Sequence, residues 1–165
     1  MRSDLDHVGR VMAQWHDARP DLDVSPQGVI GRLHRLAARL AEELVAVYGE
    51  FGLGEGEFDV LATLRRAGAP YELTPSELAA WTMVSSGAVT KRVDRCAQQG
   101  WVTRRHSDRD ARGRVVALTD AGRELIDRAF EAHMANEHRL VGSLSERQRA
   151  QLAHLLEVWG RALDA

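Results

Sequence analysis

Only one cysteine, Cys96, occurs in the 165 residues, so an intrachain disulfide is excluded and the fold must rest on packing and hydrogen bonds. No apolar run approaches the roughly eighteen residues that a membrane-spanning helix needs, and the N-terminus lacks the apolar core of a signal peptide. The expectation is a cytoplasmic chain. Glycine-rich phosphate loops, a nucleophile elbow and a Ser/His/Asp grouping are all missing, which leaves no motif for an enzyme; Gly52-Leu53-Gly54-Glu55-Gly56 reads as a turn between helices. The seven histidines (His7, His16, His34, His106, His133, His138, His154) make no His-x-x-x-His or Cys/His cluster, so neither a metal nor a cofactor is expected. Cys96 closes the series Val89, Val93, Cys96, the place of a small buried hydrophobe rather than of an exposed sensing thiol.

What is present is ordinary in amount and uneven in distribution. Hydrophobic residues at 44% and charged residues at 28% suit a globular chain long enough to bury a core, as one domain or one domain with helical appendages. Net charge is only −2. Yet between Ser85 and Val115 eight cations (Lys91, Arg92, Arg95, Arg104, Arg105, Arg109, Arg112, Arg114) face three anions (Asp94, Asp108, Asp110), which leaves the rest of the chain at −7. A compact basic segment on an acidic body is the footprint of a single face that meets phosphate.

Apolar residues at Leu5, Val8, Val11, Met12 and Trp15 repeat with a helical period over about residues 4–16. After Pro20, Ser25-Pro26 predicts the start of a long helix reaching about Glu50, striped by Val29, Ile30, Leu33, Leu36, Leu40, Leu44 and Val47. A third helix follows over about residues 55–67. Thr74-Pro75-Ser76-Glu77 is a capping box with proline at the first helical position, and it opens a short helix over 75–81. Ser85 or Ser86 caps the next, which Gly100 stops; two helices so closely joined are a helix-turn-helix. The period then alternates over 101–105 and 114–118, predicting two strands with a polar hairpin between them. Thr119 caps a long helix over about 120–141, and the box Ser145-Glu146-Arg147-Gln148 opens a last one carrying Leu152, Leu155, Leu156, Trp159 and Leu163 on one face.

This order resembles the MarR family of bacterial regulators. The likeness is carried by Leu78-Ala79, Ser85-Ser86-Gly87-Ala88-Val89-Thr90, Gly100-Trp101-Val102, Asp108-Arg109-Asp110-Ala111-Arg112-Gly113, Leu118-Thr119 and Gly122. The resemblance implies a mainly α chain: a winged helix-turn-helix with a two-stranded β wing and with N- and C-terminal dimerisation helices. It divides the chain into N-terminal helices (1–50), a DNA-binding domain (51–119) and C-terminal helices (120–165). It also implies a homodimer on a palindromic operator in double-stranded DNA, with two recognition helices roughly 34 Å apart. At the helix start the hydroxyls of Ser85, Ser86 and Thr90 reach phosphates and bases while Gly87 and Ala88 permit close approach, and Lys91, Arg95, Arg109 and Arg112 reach phosphates, bases or the minor groove.

One branch of that family responds to urate and related purines and carries an extra N-terminal helix with a tryptophan. Matched residue by residue, the branch implies a ligand set of Trp15, Asp59, Arg66, Arg92 and Arg104. Urate is a flat anion at neutral pH, so an indole stacks on it, a guanidinium pairs with its charge, and a carboxylate accepts its ring N–H groups. Two other readings stay open from the residues alone: a regulator answering a phenolic or other lipophilic anion, and a dimeric ligand-binding module without operator affinity.

Overall fold

The computed structural model describes residues 5–82, 89–106 and 114–164. The expectations placed on Ser85, Ser86, Gly87, Arg109 and Arg112 lie outside those residues. No helix is long and apolar enough to cross a membrane among the described residues. The chain forms two compact units, residues 1–43 and 44–165.

The first unit pairs α1 (His7–Ala18) with the leading part of α2 (Gln27–Glu50). The sequence pattern begins α1 earlier, but Asp6 takes the cap: its Oδ1 accepts the Gly9 N–H at 2.8 Å, satisfying one of the helix's orphan donors. The same carboxylate accepts Arg32 Nε and Nη2 at 2.8 and 2.9 Å, a forked pair that ties α1 to α2. This guanidinium, with the Gly9 N–H, holds the Asp6 carboxyl down at about 2. Val8, the buried residue of α1, sits against Gly31, where a Cβ would meet Val8 Cγ1 at 3.1 Å. Ahead of α2, Ser25 donates both its hydroxyl and its N–H to the Asp23 carboxylate two residues back.

The second unit holds the end of α2, then α3 (Glu55–Arg66), β1 (Glu72–Leu73), α4 (Pro75–Trp81), α5 (Val89–Gln98), β2 (Val102–His106), β3 (Arg114–Leu118), α6 (Asp120–Leu140) and α7 (Glu146–Leu163). Its architecture is mainly helical with one antiparallel sheet, ordered β1-β3-β2. The two wing strands appear as expected, with Val102 opposite Leu118 and Arg104 opposite Val116. They are joined by a third, because Leu73 pairs with Val116 on the other edge of β3. Two residues are too few for an alternating pattern to show in a sequence.

The core of this unit is built on α3, whose Val60, Leu61, Thr63 and Leu64 have no exposed surface. Leu78 of α4, Cys96 of α5 and Ile126 of α6 close around it, each also fully buried, and burying a leucine or isoleucine side chain of this kind contributes about 2 kcal/mol. Tyr48 at the end of α2 stacks on Phe58 at 4.1 Å, and its hydroxyl meets His133 Nδ1 at 3.3 Å. Thr119 joins wing to helix: its Oγ1 accepts the Gly122 N–H at 3.0 Å and donates toward the carbonyls of Gly100 and Trp101.

Candidate nucleic-acid interface

The Thr74 capping box sets α4, since the Glu77 carboxylate accepts the Thr74 N–H at 2.8 Å and Thr74 Oγ1 accepts the Glu77 N–H at 3.2 Å. Next to it α5 is sharply two-faced. Val89, Val93 and Cys96 point into the core, while Thr90, Lys91 and Arg95 lie on the exposed side, as the sequence pattern placed them. Gly100, in the left-handed region at φ 74°, ends the helix and turns the chain into β2.

This helix is tied to its neighbours by charge on both flanks. Toward α3, Arg95 Nη1 lies 3.1 Å from Glu57 Oε1, and the Arg92 side chain runs across Gly56, where a Cβ would come within 2.5 Å of Arg92 Cδ and 2.9 Å of its Cζ. Toward the wing, Arg104 Nη1 pairs with Asp94 at 2.6 Å and its Nη2 approaches the Thr90 carbonyl at 3.4 Å. Arg105 pairs with Glu72, which brings the outer strands of the sheet together.

The expected ligand residues are distributed as follows. Asp59 is buried on α3, one turn beyond Gly56, on the side of α3 over which Arg92 lies. Arg92 Nη1 is buried and meets no hydrogen-bond acceptor among the described residues. Arg66, two turns further along α3, donates to the Trp81 carbonyl at the end of α4. Arg104 is engaged by Asp94, on the far flank of α5 from Arg92, so these two arginines are not brought together. Trp15 belongs to the first unit, where it is exposed on α1. Separately, a cleft of about 240 Å³ opens between α4, α5 and the wing, with Pro75, Leu78, Val89, Val93, Arg104 and Arg114 on its walls.

A model of the MarR family matches residues 51–113, the segment from α3 to the hairpin. Across 149 residues, 90% of each chain, the sequence is 40% identical to the HTH-type transcriptional regulator PecS of Dickeya dadantii (strain 3937). The chain belongs to the MarR family of winged helix-turn-helix transcriptional regulators. Solved structures agree on the fold. The MarR-family regulator AbsC of Streptomyces coelicolor superposes with a TM-score of 0.77 at 22% identity, over 87% of this chain and 97% of that one. A mutant MarR from E. coli complexed with operator DNA gives 0.69 at 27% identity, over 82% and 97%.

Within this MarR-family chain, Glu57, the partner of Arg95, is the residue of this region that sequence reasoning passed over. Its signal was present, since a glutamate three residues after Gly54 is the second half of a capping box, and its Oε2 does accept the Gly54 N–H at 3.1 Å. Cys96 stands where the periodicity set it. Burial, with the Glu57 charge adding to it, pushes its thiol up to about 12. In the native protein Cys96 is therefore expected to react with a disulfide reagent at pH 8 at least about a hundred-fold more slowly than in urea, followed as thiol release by absorbance.

Proposed function

We propose that this chain is a ligand-responsive transcriptional regulator, acting as a repressor, that binds a palindromic promoter site as a homodimer and releases it when urate or a related purine binds. Operator binding is supported by the exposed cationic face of α5 and by the likeness to a MarR seated on operator DNA. Two-fold pairing is supported by α7, which buries none of its residues within the chain and leaves Leu152, Leu155, Leu156 and Leu163 exposed; an apolar stripe of this kind calls for a covering partner. The hydroxyls of Ser85, Ser86 and Thr90 take phosphates or bases while Gly87 allows close approach to the groove, Lys91, Arg95 and Arg109 take phosphate or base edges, and Arg112 enters the minor groove.

The observation that carries the ligand response is the orphaned Nη1 of Arg92. A buried guanidinium nitrogen without an acceptor is costly, and an anion seated against α3 would satisfy it. Such an anion repels the nearby Asp59 carboxylate and draws Arg92, and because Arg92 belongs to the DNA-reading helix, that helix moves. Arg66 supplies a second cation; Trp15 enters only as a residue that the resemblance to the purine-responsive branch implies, and Arg104, held by Asp94 on the other flank of α5, does not join Arg92. The cleft beside α4 favours a second reading, since its apolar walls with Arg104 and Arg114 suit a phenolic or other lipophilic anion.

Fluorescence anisotropy with duplex DNA from upstream of the chain's own gene tests the DNA half of the proposal. Affinity is expected to fall steeply with salt, and Lys91→Ala and Arg112→Ala are each expected to reduce the log–log slope by about one. Weak binding indifferent to salt would instead favour the module without operator affinity. For the ligand half, Trp15→Ala with Arg66→Ala is expected to abolish purine-induced release while DNA affinity persists.

A further inference from the structure

We infer that Glu57 is a positioning residue for operator specificity: one of its carboxylate oxygens fixes the start of α3, and the other holds Arg95 of the DNA-reading helix in a set orientation before DNA arrives. This inference rests on the proposal that α5 reads DNA.

The two ends of the Arg95–Glu57 pair differ sharply in environment. The Glu57 side chain is 9% exposed and that of Arg95 is 69% exposed. The carboxylate is the fixed partner. Its Oε2 accepts the Gly54 N–H at 3.1 Å, and it sits in the first turn of α3, where the helix dipole favours negative charge. Its Oε1, at 3.1 Å from Arg95 Nη1, occupies one donor of the fork and leaves the other guanidinium N–H groups for an outside acceptor. An exposed arginine otherwise samples many rotamers, and ordering it on binding costs free energy that weakens every DNA equally. An arginine already ordered gains on the site whose acceptors match its orientation.

Gly56 completes the seat. Arg92 and Arg95 are three residues apart and so share one flank of α5, and the consecutive residues Gly56 and Glu57 receive them both. A side chain at position 56 would collide with Arg92. The first turn of α3 therefore receives both arginines, Arg92 across Gly56 and Arg95 through its ion pair with Glu57.

A double-mutant cycle on the full chain tests this, read as the ratio of affinities for the upstream duplex and a shuffled duplex of equal length. The ratio cancels the general gain in DNA affinity that follows from removing any negative charge. Glu57→Gln keeps an oxygen for the Gly54 cap, and is expected to lower the ratio about tenfold. In an Arg95→Ala background the same change is expected to leave the ratio within about twofold. Thermal melting of Glu57→Gln checks that the fold persists, and Glu57→Asp, too short to reach both partners, is expected to lower the ratio as well. An unchanged ratio in Glu57→Gln, or an equal fall with and without Arg95, would overturn the inference while leaving the DNA-binding proposal standing. A wild-type protein without preference for the upstream duplex would instead remove the proposal on which it rests.

Discussion

Gly122→Ala is expected to lower the melting temperature by about 10 °C, corresponding to about 3 kcal/mol of lost stability in a chain of this size. The cause is local and steric. A Cβ at position 122 would overlap the Trp101 carbonyl oxygen and stand 2.8 Å from its carbonyl carbon, and both of those atoms are backbone. The neighbour cannot turn aside as a flexible side chain would. The Trp101 carbonyl also accepts the Thr119 N–H at 3.0 Å, so moving it loosens the joint between β2 and the start of α6. Calorimetry of the variant against wild type checks the claim. A loss under about 1 kcal/mol would mean that the joint gives way cheaply.

Gly56→Ala is expected to raise the urate concentration needed for half-release of DNA by at least about tenfold while DNA affinity stays within about threefold. The added methyl would lie 2.5 Å from Arg92 Cδ and 2.9 Å from Cζ, so the Arg92 side chain must shift off its place over position 56. No charge is removed from the DNA-reading helix, which separates this variant from Arg92→Ala, where the loss of a cation from that helix and the loss of a ligand contact are confounded. Competition anisotropy with labelled duplex measures both quantities in one titration. Release at wild-type urate concentrations would show that the seat over Gly56 has no part in the response.

Much of the fold was legible because local signals agree with the tertiary structure. Thr74, Pro75 and Glu77 set both the place and the start of α4, and the alternation from Arg114 to Leu118 marks β3 to the residue. The errors have physical sources. The start of α1 moved because Asp6 satisfies the cap and pairs with Arg32 twenty-six residues away, a tertiary preference that periodicity does not contain. β1 escaped because two residues carry no period.

The candidate site was legible only in part, for a related reason. Spacing put Asp59 and Arg66 on one side of α3, and it identified the exposed face of α5. It could not tell which acceptor draws each of many arginines: Arg66 goes to Trp81, Arg104 to Asp94 and Arg95 to Glu57. In a chain rich in both signs of charge, those choices depend on burial and reach, which appear only once the helices are packed.

The most direct test of the account is a mobility shift with DNA flanking the chain's own gene, titrated with urate, xanthine, hypoxanthine and salicylate. A retarded complex is expected that purines dissolve at concentrations where salicylate is inert, with the effect lost in Trp15→Ala with Arg66→Ala. A complex indifferent to purines would contradict the assignment of this ligand, and the absence of any complex would contradict the regulator itself.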